Sequence, residues 1–205
     1  SCTAQYIVSC PETKEGAIID PVWDYDPKSA SFTEDENIEK LLHVIQSKKL
    51  NIRWILETHV HADHISSSQI LKKKLNNNAK IGIGKNVIKT QENFSNIFNL
   101  QHQHQKLKNF DVLLSEGDSI PLGNLKIEII ETPGHTLDSV SFYIQNDCVF
   151  VGDTLFMPDH GTARCDFIGG SAGSLYDSIQ NKLFKLPDET RVFVCHDYGF
   201  GGREY

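Results

Sequence analysis

The sequence predicts a layered α/β fold, with mixed β-sheets covered by helices. Three observations predict it. Short, often β-branched apolar runs recur along the chain, helical periodicity appears between them, and an early hairpin plus a strand series at 125–151 argue against purely parallel winding.

The first runs, Tyr6 to Val8 and Ala17 to Ile19, flank S-C-P-E-T-K-E-G, which reads as a hairpin turn. Ile52 to Leu56, Lys80 to Ile83, Leu125 to Ile130, Val140 to Ile144, Val149 to Val151 and Val192 to Val194 are too short for helices and read as strands. Helical spacing at Ile38, Leu41, Leu42 and Ile45, preceded by Thr33 and Glu36 as a capping box, predicts the first helix. A second is expected from near His64 through Ile70, Leu71 and Leu75 to N-N-N-A-K, and a third over Leu175, Ile179 and Leu183 before Pro187. The polar stretch from Asn86 to Phe110, with Q-H-Q-H-Q, reads as a partly helical surface excursion. Within it His102 and His104 would point about 200° apart on a helix, awkward for a shared metal.

A chain of 205 residues fits one compact domain with a full core, so residues 1–205 are taken as one domain. No apolar run approaches the roughly 20 residues of a membrane helix, and membrane association is not expected. The net charge of −7 provides no general basic surface, which argues against nucleic acid as a partner. Five cysteines, at 2, 10, 148, 165 and 195, form no C-x-x-C pair. Their odd number suits reduced thiols and predicts a reducing, cytoplasmic location. The chain opens S-C-T-A-Q-Y, without an initiator Met or a signal-type segment, and ends in the turn-rich G-F-G-G-R-E-Y. We read a trimmed N-terminus and expect a C-terminal segment beyond Tyr205.

One short stretch stands apart from this ordinary background. E-T-H-V-H-A-D-H, residues 57–64, crowds His59, His61, Asp63 and His64 directly behind an apolar strand. Alternation by two puts His59 and His61 on one side of an extended segment, while Asp63 and His64 enter the following turn. Such a turn offers imidazole nitrogen and carboxylate oxygen to one or two cations. His135 after Leu125–Ile130, Asp153 after Val149–Gly152 and His196 after Val192–Cys195 each follow a strand in the same manner. If the strands share an edge orientation, seven ligand-type side chains converge in one cleft, which points to a metal site. Chance placement of seven unrelated loop residues is the plain alternative.

H-V-H-A-D-H, P-G-H-T, G-D-T and C-H-D, in this order, resemble the metallo-β-lactamase superfamily from about Tyr6 to Tyr198. The resemblance implies an αββα sandwich with the site where two mixed sheets meet. It leaves the reaction open, because members include dizinc hydrolases, nucleases, flavodiiron enzymes and mononuclear iron dioxygenases.

The ligand count permits two metals: His59, His61 and His135 on one, Asp63, His64 and His196 on the other, and Asp153 bridging. That set resembles glyoxalase II, a dizinc thioester hydrolase acting on hydroxyacylglutathione. A β-lactamase fits less well, since a Cys usually stands where Asp153 does. The stretch G-D-T-L-F-M-P-D-H-G-T-A-R-C-D-F-I-G-G resembles the persulfide dioxygenases instead, as do the early I-I-D-P-V-W-D-Y-D-P and the late H-D-Y.

That second resemblance implies one Fe(II) per chain, held by His59, His135 and Asp153 as the catalytic centre. Two histidines and a carboxylate leave coordination positions open for substrate sulfur and O₂. His61, Asp63, His64 and His196 would then orient the ligands, or hold a second metal if the site is dinuclear. The implied substrates are glutathione persulfide and O₂, with sulfite and glutathione as products, and a homodimer is implied although no apolar stripe marks an interface. Arg164 is the candidate for substrate contact or loop locking, with a salt bridge to Asp166 or Asp159 as the plainer role. Tyr198 and Arg203 follow His196 closely and are candidates to reach a glutathione carboxylate or backbone, with an ordinary surface role as the plainer reading. Cys165 is expected to be inert, and Cys195 to pack in the core with its side chain away from the histidine's face. A non-enzymatic, redox-responsive metal-binding protein is the reading from another class.

Overall fold

The structure is a computed structural model, which describes residues 3–26, 28–32, 36–99 and 109–199. The chain begins with β1 (Tyr6–Ser9), β2 (Glu15–Ile19), β3 (Val22–Trp23), β4 (Tyr25–Asp26) and β5 (Ser31–Phe32), then α1 (Glu36–Ser47). Next come β6 (Asn51–Glu57), β7 (Ile65–Ser66), α2 (Ser68–Lys74), β8 (Lys80–Gly84), α3 (Val87–Ile97) and β9 (Val112–Leu114). The rest comprises β10 (Ser119–Leu122), β11 (Leu125–Glu131), β12 (Val140–Ile144), β13 (Cys148–Phe150), α4 (Ala172–Asn181), a 3-10 turn at Leu183–Lys185 and β14 (Arg191–Phe193).

Two five-stranded sheets result, ordered β1-β2-β6-β8-β9 and β10-β11-β12-β13-β14. Both are mixed. In the first, the β1–β2 hairpin is antiparallel and the remaining pairs are parallel. In the second, three antiparallel pairs end in the parallel pair β13–β14.

Strand alternation divides the apolar residues between the faces. Ala17, Ile19, Trp54, Leu56, Ile127, Ile129, Phe142 and Phe150 meet between the sheets. Ile18, Ile52 and Ile55 face outward, under Ile38, Leu41 and Ile45 of α1 and Leu71 of α2. On the far side, Tyr143, Val149 and Val151 take Leu175 and Ile179 of α4. This is the expected αββα sandwich of mixed sheets and flanking helices. In β6 the register skips Arg53, because Gly16 pairs with Ile52 and Ala17 with Trp54. The extra residue re-phases the strand, so Ile52 faces the helices while Trp54 faces the other sheet.

The first and third helices stand where periodicity placed them. Thr33 of the expected capping box lies outside the described residues, and Asp24 accepts the Asn37 amide at the start of α1 instead (2.8 Å). The second helix starts at Ser68, not near His64. Ile65 and Ser66 pair with Trp23 and Val22, and Ser67 N donates to Pro21 O at 2.9 Å, so the chain stays extended up to that point. The polar stretch from Asn86 does contain a helix, α3, while His102 and His104 lie outside the described residues. Among the described residues no helix is long and apolar enough to cross a membrane.

Candidate metal centre

Strand ends set the site. β6 runs out at Glu57, and the next seven residues carry the histidine cluster; β11, β13 and β14 end just before His135, Asp153 and His196. Two glycines allow the loops to approach closely. Gly134 has φ +153°, and a Cβ there would lie 2.4 Å from the Leu175 Cα; Gly152 has φ +54°, and a Cβ there would lie 2.5 Å from the Thr58 hydroxyl.

Asp153 is the hub. Its Oδ2 lies 3.5 Å from His135 Nε2 and 3.8 Å from His59 Nε2, and its Oδ1 lies 3.3 Å from His196 Nε2. His59, His135 and Asp153 are all buried, with one ligand atom from each within 4.8 Å of the others. His61, Asp63 and His64 form a second such group beside it, and Asp63 Oδ2 reaches His196 Nε2 at 3.4 Å. All seven predicted ligand-type residues therefore come together.

Each histidine is held by a second group. His135 Nδ1 lies 2.7 Å from the Arg164 carbonyl, so that nitrogen donates and Nε2 faces Asp153. Thr58 Oγ1 stands 3.0 Å from His59 Nδ1. His61 Nε2 lies 3.1 Å from Asp20 Oδ1 and 3.4 Å from Glu57 Oε2, leaving Nδ1 turned the other way. Asp20 also accepts from the Thr58 amide (2.7 Å) and hydroxyl (2.8 Å), tying the start of the cluster to the end of β2.

The electrostatics follow from burial and crowding. Burial, with His61 and His135 nearby, holds the His59 pKa well below its usual value. Burial also opposes charge on His61, but the Asp20 and Glu57 carboxylates outweigh it and pull its pKa well above. Asp153 is pushed up to about 7 by burial, partly offset by His61. Burial acts in the same sense on Asp63, but His64 and His196 prevail and hold it low.

His59 Nε2, His61 Nδ1, His64 Nε2 and Asp153 Oδ1 are buried without hydrogen-bond partners. Orphaned buried polar atoms are costly, and here they are the lone-pair atoms of ligand-type residues. The donor set fits a metal. Imidazole nitrogen and carboxylate oxygen suit both zinc and non-haem iron, so the chemistry of the donors does not choose between them.

The family model described as the metallo-beta-lactamase superfamily matches residues 3–196. The chain belongs to the metallo-beta-lactamase superfamily. Within it, the chain is 44% identical over 199 residues to "Glyoxylase B2" of Dictyostelium discoideum, covering 97% of this chain and 67% of that protein. It is 30% identical over 199 residues to "Persulfide dioxygenase ETHE1, mitochondrial" of Homo sapiens, covering 97% of this chain and 65% of that one. Among solved structures it is similar to ETHE1 from Myxococcus xanthus, with a TM-score of 0.75, 31% identity and coverage of 99% of this chain and 73% of that one. The chain thus spans about two thirds of the length of these two sequence relatives.

The superfamily site opens into a cleft of about 390 Å³ lined by Asp153, His160, Arg164, Phe167, His196 and Tyr198, among others. Arg164 is occupied: Nε and Nη2 meet Asp166 at 2.5 and 2.7 Å, and the pair is largely exposed. That is the plainer of the two roles expected for Arg164. Tyr198 stacks on His196 with ring centroids 5.8 Å apart, and Arg203 lies outside the described residues.

One expectation fails in part. Cys195 is buried as expected, but its side chain turns toward the site, its Sγ grouping with Asp153 and His196 within 4.8 Å. β14 ends at Phe193, so strand alternation no longer separates Cys195 from His196. Sequence reasoning also passed over Asp20, Glu57, Thr58 and Thr3 individually. Thr3 stands 3.4 Å from Asp63 Oδ2 and 3.5 Å from His196 Nδ1. Asp20 carried the signal that exposed Asp153, an acid ending a buried strand.

Proposed function

We propose that this chain is the catalytic domain of a mononuclear non-haem Fe(II) persulfide dioxygenase, which converts glutathione persulfide, O₂ and water to glutathione and sulfite. The observation that carries this reading is the contact between loop 161–167 and His135. G-T-A-R-C-D-F is the stretch that resembles the dioxygenases, and its Arg164 carbonyl holds His135 Nδ1 while the Phe167 ring meets the imidazole edge-on at 5.3 Å. Similarity over nearly the whole chain to proteins bearing the persulfide dioxygenase and ETHE1 names supports the same reading.

His59, His135 and Asp153 would hold the iron, which when bound supplies a Lewis-acid and redox centre for the sulfur and O₂. The chain's own groups supply placement. Thr58 and the Arg164 carbonyl fix the two imidazoles, and Asp20 with Glu57 fixes His61 beside them. Phe156 and Phe167 line the cleft and give the substrate an apolar wall to pack against. A glutathione carboxylate entering the cleft would take the Arg164 guanidinium in exchange for Asp166.

A dizinc thioester hydrolase of the glyoxalase II type is the second reading. It is favoured by the second donor group at His61, Asp63 and His64 beside His196, and by the name of the Dictyostelium relative. One experiment separates the two: protein purified under nitrogen is analysed for Fe and Zn, then assayed for O₂ uptake with glutathione persulfide and for hydrolysis of S-lactoylglutathione. The dioxygenase reading expects near-stoichiometric iron and persulfide-dependent O₂ uptake. Hydrolysis without O₂ uptake overturns it.

A further inference from the structure

Cys195 is wedged between the two loops that meet at the site. Its amide donates to Gly152 O at 3.3 Å, and its carbonyl accepts from Ala4 N at 2.7 Å, so its backbone is fixed from both sides. Gly152 immediately precedes Asp153, so the loops are joined by main chain and again by side chain. Cys195 is 1% exposed, and its Sγ lies within 4.8 Å of both an Asp153 carboxylate oxygen and a His196 nitrogen. At that distance the S–H can turn toward the carboxylate as a donor. Asp153 Oδ1 is meanwhile buried without a hydrogen-bond partner, with His196 Nε2 beside it at 3.3 Å, so a donor turned toward this carboxylate would add to the contacts that orient it.

We infer that Cys195 is a positioning residue of the metal centre: its thiol, as a neutral donor, holds the Asp153 carboxylate in the orientation that serves the metal. A carboxylate ligand needs such an outer partner for the same reason a histidine ligand does, since free rotation costs metal affinity. Sulfur suits this place because the thiol is a compact donor that tolerates apolar surroundings. The role is the same for iron and for zinc, and it rests on Asp153 being a metal ligand.

The test uses Co(II) as a visible probe of the site in the full chain. Cys195→Ser keeps a donor, and Cys195→Val fills the space without one. Each variant, with wild type and Asp153→Ala, is titrated with Co(II), and both the affinity and the ligand-field absorption are read. Cys195→Val is expected to bind about tenfold more weakly, with a shifted ligand-field spectrum, and Cys195→Ser to restore the wild-type spectrum. Wild-type binding and spectrum in Cys195→Val overturn the inference. So does an equal defect in both variants, which marks packing alone, and so does a cobalt–thiolate charge-transfer band lost with the sulfur, which makes Cys195 a ligand. Wild-type affinity in Asp153→Ala fails the ligand assignment instead, and the two failures are distinguishable.

Discussion

His135 Nδ1 lies 2.7 Å from the carbonyl oxygen of Arg164, so the main chain of the cleft loop, rather than its guanidinium, orients a candidate metal ligand. Replacing the Arg164 side chain leaves that contact in place. Arg164→Ala is therefore expected to keep the wild-type metal content. It should raise the apparent KM for glutathione persulfide by about tenfold, the loss of one charge-assisted hydrogen bond. Stability should change little, because the Arg164–Asp166 pair is solvent-screened. Metal analysis, steady-state kinetics and urea unfolding check the three in turn.

Ligands and their supports should separate in metal affinity. His135→Ala and Asp153→Ala are expected to lose metal by more than about 100-fold, and activity with it, while Asp20→Asn should fall in the roughly 10- to 100-fold range of an outer group. Competition with a chelating dye measures the order. Full iron occupancy in Asp153→Ala contradicts the ligand assignment.

Gly134 and Gly152 are expected to resist substitution for different reasons. Gly134→Ala drives a methyl into the Leu175 backbone, and Gly152→Ala drives one into Thr58, both at positive φ. Each should cost about 3 kcal/mol or more in urea unfolding. Gly152→Ala should also weaken metal binding, since the displaced Thr58 contacts His59.

Alkaline stability should depend on Cys148. Burial pushes its thiol up to about 11 from an ordinary 9.0, with Asp147 adding to the effect. The folded state thus keeps a proton that the unfolded chain releases first. Its contribution to stability is complete below about pH 9 and is lost as pH rises toward 11. The urea midpoint should fall between pH 8 and pH 10.5, and fall less in Cys148→Ala. Equal slopes for the two proteins would exclude Cys148 as the cause.

The elements visible in the sequence were those whose pattern is local. β6, β11 and β12 are apolar runs whose sides are set by alternation, and α4 carries Leu175 and Ile179 at helical spacing. β10 escaped because Pro121 argues against a strand, although an edge strand tolerates it and the Pro121 carbonyl accepts from Trp54 Nε1 at 2.9 Å. The two-residue strands β3 and β7 exist only through pairing across more than 40 positions, which no local window contains. The site divides the same way. Histidines behind strands declare themselves by residue type, whereas Thr3, Glu57 and Cys195 matter only for what they touch.

His59 comes from the first sheet, and His135, Asp153 and His196 come from the second. An ion among them would act as a clasp, joining the N-terminal and C-terminal halves of the chain at one end of the seam between the sheets. Ligands so far apart in sequence are not gathered in an unfolded chain, so the free energy of holding the ion becomes free energy of folding. The temperature at which this protein melts should then rise with free metal concentration, and a chelator should loosen the two sheets from each other first at the edge where the chemistry is done.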